Sequence, residues 1–161
     1  MNLNYTAFFF ISFVPFLIAL FWYHPNSPMR KKWGAESMVD LFRISFPKKI
    51  FAFILSVGFV YGYMNLIIHQ LGFYELFFTD IMKGSTEAQQ IVDEFLAKYG
   101  DKHRHFGHGV LHGLLNACVG ALPIISFQAI LQDKSMRFVY LHFGYWLVMS
   151  MLVGGLISAF I

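Results

Sequence analysis

One face of a predicted helix carries three histidines and an asparagine, at the start of an otherwise apolar segment: His105, His108, His112 and Asn116. Their spacing of three, four and four residues keeps these side chains within an arc of roughly 80° on an α-helix. Imidazoles at hydrocarbon depth are rare, and they usually face protein, water or a ligand rather than lipid. This stripe is therefore the first place in the chain to look for chemistry.

Two more polar residues, Asn65 and His69, lie near the end of the preceding apolar segment. Counting about 1.5 Å per residue places His69 and His108 at the same depth, roughly 3 Å below the outer boundary, with Asn65 and His112 about 6 Å deeper. Two adjacent antiparallel helices would pair His69 with His108 and Asn65 with His112. The candidate metal ligands are His69, His105, His108 and His112, and the candidate polar cluster is Asn65 and Asn116.

Several kinds of chemistry fit this set of residues. Neutral imidazole is the commonest ligand of transition metals, and three or four from two helices can hold an ion such as zinc. A haem would instead need one axial histidine from each helix, most simply His69 with His108 or His112. Proton or small-molecule handling is a third reading. In a fourth, the rings bond Asn65, backbone carbonyls or water and only hold the helices in register.

The sequence does not carry the signatures of a familiar enzyme class. It has no Gly-rich phosphate loop and no nucleophile elbow, and the apolar segments contain no Asp or Glu with which to pump ions. The spacing of His105, His108 and His112 is similar to the histidine boxes of membrane di-iron hydroxylases. Those sites need more histidines than the seven present here, three of which are scattered. We therefore expect a binding or accessory protein rather than an enzyme.

The composition indicates what positions these residues. Hydrophobic residues make up 57% of the 161-residue chain and charged residues only 13%, against about a quarter charged in soluble domains. Every Lys, Arg, Asp and Glu lies outside four windows, 5–23, 50–71, 106–131 and 138–161. Each window reaches the roughly 20 residues that span the hydrocarbon core. The prediction is an all-α polytopic membrane protein with four transmembrane helices in a single domain, 1–161.

The first window, the single cysteine and the positions of the basic residues limit the possible partners and the compartment. No Lys or Arg precedes the first window and no small-residue cleavage site follows it, so we expect it to stay in the mature protein rather than act as a signal peptide. Cys118 is the only cysteine, which rules out an internal disulfide and a thiolate metal site. The basic residues lie beside membrane ends, where anionic lipid explains them better than nucleic acid does.

The distribution of basic residues predicts the orientation. Eight Lys and Arg lie in the loops between windows one and two and between three and four, whereas four lie in the loop between two and three. The positive-inside rule places the larger group in the cytoplasm. Both termini and the histidine stripe are therefore expected on the periplasmic side.

Both long loops have amphipathic character. In the second loop, Thr86 with Gln89 forms a capping box and Gly100 stands where a helix would end, which predicts one short amphipathic helix. In the first loop, four apolar residues alternate with Arg and Lys and indicate a segment lying in the cytoplasmic interface. These apolar residues are Trp33, Val39, Phe42 and Phe46.

Small residues predict where the helices touch. Gly58 and Gly62 share a face with Asn65 and His69, and the third window has small residues at strict four-residue steps. The members of this second ridge are Gly109, Gly113, Ala117 and Ala121. Such residues let backbones approach closely, and van der Waals contact is what drives helix association in lipid. We expect both faces to form the seam of the bundle.

Short aromatic and glycine motifs give the chain a family resemblance. The first window ends in Trp22-Tyr23-His24-Pro25, and a basic segment that contains Trp33 follows it. The last window contains Gly144-Tyr145-Trp146 and Gly154-Gly155. Over nearly its whole length the chain resembles a family of small bacterial four-helix integral membrane proteins known only as a domain of unknown function. The resemblance implies a bacterial inner-membrane protein with a lipid-embedded bundle. It supplies no activity or cofactor, and a membrane-protein partner or homo-oligomer stays open.

The orientation can be tested by cysteine labelling in a variant whose native Cys118 is replaced. Because Thr86 lies in the loop with fewer basic residues, Thr86→Cys should react with an impermeant maleimide added to intact cells. Ser37→Cys, in the basic first loop, should react only after the cells are opened. Labelling of Ser37→Cys in intact cells, with Thr86→Cys protected, would reverse the orientation.

Overall fold

Helices account for the whole regular structure in the described part of the chain. The computed structural model describes residues 3–34 and 40–161 and is 80% helical, without strands among these residues. The helices are α1 (Tyr5–Ile11), α2 (Val14–Trp22), α3 (Pro28–Trp33), α4 (Phe46–Ile67), α5 (His69–Met82), α6 (Thr86–Tyr99), α7 (Phe106–Asn116), a π-helical turn (Ala117–Ala121), α8 (Leu122–Leu131) and α9 (Met136–Phe160).

Four helical stretches are long and apolar enough to span a membrane, as the sequence predicts. They are Tyr5–Trp22, Phe46–Ile67, Phe106–Leu131 and Met136–Phe160. The second span ends earlier than the predicted residue 71, because the chain leaves helical geometry at Ile68 (φ −88°, ψ 88°) and restarts at His69 as α5. His69 therefore lies just beyond the helical span that the sequence predicted to contain it.

The second loop folds as a pair of helices, α5 and α6, where the sequence predicted one. Phe73 of α5 stacks on Phe95 of α6 with ring centroids 3.8 Å apart. Helix α6 ends at Gly100 as expected, but its N-cap is Ser85, whose side chain accepts a hydrogen bond from the Ala88 amide at 3.2 Å. The predicted Thr86 capping box is wrong by one residue, since Ser85 occupies the extended cap position that a capping side chain requires.

Helix α9 is the element on which the other spans pack. Gly109 and Gly113 of α7 face it so closely that a Cβ on Gly109 would overlap the Gly154 carbonyl, and one on Gly113 would lie 2.6 Å from the Met151 Cα. Ala117 continues this contact and is 1% exposed. The predicted seam on the third span is confirmed at Gly109 and Gly113, where its partner is the fourth span, whereas Ala121 at its far end lines a groove.

The other predicted small-residue face does not form a seam. A Cβ on Gly58 or Gly62 would have no atom within 4 Å apart from its own helix, so this side of α4 faces open space. The prediction was wrong here because small residues permit close approach without requiring it. Which of two small faces is used depends on the shape of the partner helix.

Aromatic side chains at the end opposite the histidine stripe fasten the first span to α9. The Trp22 indole donates to the Leu141 carbonyl at 3.0 Å, and the Tyr145 hydroxyl donates to the Pro15 carbonyl at 2.9 Å. A Cβ on Gly144 would lie 2.9 Å from the Trp22 ring. The aromatic motifs that carry the family resemblance therefore lie at helix contacts.

The start of the first loop folds as the short helix α3, capped by Ser27. The Trp33 ring at its end lies 6.4 Å from that of Tyr140 on α9. Phe42 and Phe46 are exposed, and Val39 lies outside the described residues.

The seam generates a stability prediction. Gly113→Leu must push α7 away from the Ser150–Met151 backbone, and overpacking of this kind costs about 1–3 kcal/mol or more. We expect the midpoint of thermal unfolding in detergent to fall by at least several degrees. Phe9→Leu, at a side chain that is 52% exposed, is the control and should change little. Equal tolerance at both positions would contradict this assignment of the seam.

Candidate metal centre

Three histidine rings meet where α5 approaches the start of the third span. His108 and His112 lie four residues apart on α7, and therefore on one face of it, and their ring centroids are 4.5 Å apart. His69, the first residue of α5, faces both, with centroids 5.4 Å from His108 and 4.9 Å from His112. The predicted approach of His69 to the stripe is thus present.

The geometry of the three rings fits a small metal ion. One potential ligand nitrogen from each of His69, His108 and His112 lies within 4.8 Å of the others. Zn–N bonds of about 2.1 Å in a tetrahedral site put the nitrogens roughly 3.4 Å apart. His69 is exposed and both other rings are half-buried, so a side-chain rotation at His69 can close the remaining distance and leave a fourth position for water.

One nitrogen of the group is left without a hydrogen bond. His108 Nε2 is buried and has no partner among the described residues. Buried ring nitrogens are normally paired, and each exception calls for an explanation. A metal ion uses the same lone pair as a hydrogen bond would, so His108 Nε2 fits a coordinating role.

The loop before α7 supports the central ring, His108. His105 is the N-cap of α7, where its Nδ1 accepts a hydrogen bond from the His108 amide at 3.2 Å. His103 stacks on His108 with centroids 5.0 Å apart and an interplanar angle of 22°. The backbone carbonyl of His103 accepts a hydrogen bond from Ser158 of α9 at 3.1 Å. His105 is outside the converging group, and its predicted role as a metal ligand stays a prediction.

His69 is positioned by its neighbour Gln70, which the sequence analysis did not single out. The Gln70 side chain is 6% exposed, and its amide donates to the carbonyls of Tyr99 and Lys102 at 3.1 and 3.0 Å. These bonds hold the start of α5 against the end of α6. A lone glutamine beside a histidine gives no signal in the sequence, because its partners are backbone atoms about 30 residues away.

The two predicted members of the polar cluster have different surroundings. Asn65 donates to the Tyr61 carbonyl of its own helix at 2.9 Å rather than pairing with His112. Asn116 lies one turn beyond His112 and shares with it a small cavity of about 310 Å³. The predicted second rung of Asn65 with His112 is therefore absent among the described residues, where the Asn65 side chain turns back to its own helix.

Arg104 adds a fixed positive charge in the loop between His103 and His105. Burial lowers the pKa of its guanidinium, and Asp101 raises it in part. Arginine stays charged at any physiological pH. The loop beside the histidines therefore carries one positive charge at Arg104 and one negative charge at Asp101.

The histidines at the opposite membrane face do not form a second site. His142 Nδ1 shares a hydrogen bond of 2.9 Å with the Tyr23 hydroxyl, and His24 Nδ1 accepts from the Asn26 amide at 3.1 Å. Burial, and next the neighbouring Tyr145, raise the pKa of Tyr23, so its hydroxyl keeps its proton. The first contact joins the end of α2 to α9, and the second lies within the turn that follows α2.

Searches against protein-family models, curated proteins and solved structures found no match to this chain. The candidate function therefore rests on the geometry of the chain itself.

Capping and metal coordination by His105 can be separated experimentally. His105→Ala removes the acceptor of the His108 amide and should lower the free energy of unfolding by about 1 kcal/mol. His105→Ser restores a capping oxygen and should recover most of that loss, as measured by thermal unfolding in detergent. Zinc affinity of the Ser variant should stay within about threefold of wild type. A tenfold loss there would make His105 a ligand.

Proposed function

We propose that this protein is an integral membrane protein that binds a divalent transition metal ion, with zinc as the first candidate, through His69, His108 and His112. In this proposal it acts as a binding or accessory protein and has no catalytic centre of its own. The observation that carries it is the convergence of three ring nitrogens within 4.8 Å. The unpaired Nε2 of His108 supports it independently.

A purely structural cluster explains these observations less well. In a hydrogen-bonded brace, each buried ring nitrogen would find a donor or acceptor in the surrounding helices. Asn65, the side chain best suited to that role, is bonded to its own helix. A metal ion accepts several imidazole lone pairs at once, which fits three rings in mutual contact with one buried nitrogen unpaired.

The geometry favours a small ion over a haem. A haem iron takes its two axial histidines on opposite sides of a wide, flat porphyrin. Here the three rings contact one another, with centroids 4.5 to 5.4 Å apart. Inserting a porphyrin would require α5 to move away from α7 and break the bonds that Gln70 makes.

The compartment and the family are part of the same proposal. Exposed apolar side chains such as Phe10, Ile54 and Phe127 cover the outside of the spans and fit contact with lipid. We place the chain in a bacterial inner membrane, in the four-helix family that it resembles, with both termini and the histidine cluster on the periplasmic side. The charge distribution between the loops supports this orientation. A homo-oligomer or another membrane protein would be the partner.

Metal content is the direct test. Protein purified without chelators should carry about one zinc per chain by elemental analysis. Binding should weaken as the pH falls below about 6.5, because protons compete for imidazole nitrogens. Replacing His108 and His112 together with Ala should abolish binding, and His69→Ala should weaken it at least tenfold.

His24→Ala is the matched control, since His24 lies at the opposite membrane face and bonds a backbone amide. It should bind zinc as wild type does. If the purified protein carries stoichiometric haem with a Soret band, the bound group is haem and not zinc. The absence of metal at saturating zinc, cobalt and copper would overturn the proposal in favour of the structural cluster.

A further inference from the structure

A large groove opens in the wall of the bundle, separate from the histidine cluster. It has a volume of about 720 Å³ and is lined by α4, Asn116 at the end of α7, the π-helical turn with α8, and α9. Every residue that lines it belongs to one of the candidate spans. Whatever fills the groove must therefore be soluble in the hydrocarbon core.

The groove exists because three glycines and a change in helix geometry leave space. Gly58 and Gly62 have nothing within 4 Å of the position of a Cβ, and a Cβ on Gly120 would meet only the Asn116 side chain at 3.4 Å. Between Ala117 and Ala121 the third span becomes π-helical, a feature that often marks functional sites. The small-residue face of α4 thus lines this space.

The size of the groove points to a small molecule rather than a helix. A helix about 10 Å wide occupies roughly 420 Å³ per turn, so the groove holds less than two turns. A transmembrane helix of a second copy would need a much longer channel. The volume does lie within the roughly 300–1,000 Å³ that is usual for small-molecule sites.

Polar groups lie at the inner side of the groove. The Tyr63 hydroxyl donates to the Gly113 carbonyl at 3.4 Å, and the side chains of Asn116 and Ser150 form hydrogen bonds with that hydroxyl. Asn116 is ten residues into the third span, about 15 Å from its end. The Asn116 amide has two N–H groups, so it can hydrogen-bond Tyr63 and also donate to a ligand oxygen. A polar group at that depth gains free energy from such a partner, and an acyl chain offers no oxygen there.

Asn116 also connects the groove to the histidine cluster. It lines the cavity of about 310 Å³ that contains His112, one helical turn away. A compact head bound at Asn116 would thus lie near the candidate metal centre. The groove stands on its own observations and does not depend on metal binding.

We propose that this groove binds a lipid-soluble molecule with one long hydrocarbon chain and a compact head that carries carbonyl oxygens, an isoprenoid quinone being the first candidate. The chain lies along Gly58 and Gly62, and a head carbonyl accepts a hydrogen bond from the Asn116 amide.

Quinone binding can be followed through Trp146, which lines the groove. Purified full-length protein is titrated with a decyl-chain benzoquinone, and quenching of tryptophan fluorescence is measured. Wild type should show a saturable component that is lost in Trp146→Phe. Gly62→Leu should weaken binding at least tenfold, since its side chain enters the groove. Asn116→Leu should weaken it about fivefold or more.

Gly72→Leu is the matched control, because Gly72 on α5 also has nothing within 4 Å of a Cβ and lies outside the groove. It should bind quinone as wild type does. Circular dichroism and thermal unfolding should show Gly62→Leu folded, and Gly58→Leu provides a second variant if it is not. Equal affinity in the Gly62, Gly58 and Gly72 variants would overturn the proposal. Equal competition by a phospholipid with brominated acyl chains would also overturn the proposal, because the groove would then bind ordinary membrane lipid.

Discussion

The backbone contact between α7 and α9 is the constraint on which the rest of the molecule depends. At Gly109 and Gly113 there is no room for even one carbon atom between α7 and the Ser150–Gly154 stretch of α9. In lipid no hydrophobic effect drives helices together, so close backbone packing must supply the attraction. Since the contact occupies one face of α7, it decides which way every other side chain of that helix points.

The histidine cluster and the groove both follow from that contact. With Gly113 against α9, His108 and His112 are turned toward α5, and Asn116 is turned toward the space beside α4. The π-helical turn then lets the third span continue past Pro123 without closing that space. A metal centre and a lipid-soluble ligand would share one helix, with Asn116 between them.

The extramembrane pair α5–α6 plays a different part. It contributes one candidate ligand, His69, and positions it through Gln70 and the stacked rings of Phe73 and Phe95. His69 is exposed, whereas His108 and His112 are half-buried on α7, so the cluster has one side open to solvent and one side against the bundle. Such an arrangement suits an ion that enters from the aqueous face, as the proposed metal would.

The sequence alone determined the number of spans, the amphipathic α6, the glycine ridge on α7 and the shared face of His108 and His112. All of these follow from local periodicity and apolar length, which a chain in lipid must satisfy. Tertiary structure decided that the glycine ridge meets α9 and that Gly58 and Gly62 line a groove. It also decided that Asn65 bonds its own helix and that the helix of the second span ends before Ile68. These depend on which surfaces of similar composition fit together, and on a Gln70 side chain whose partners are backbone carbonyls far along the chain.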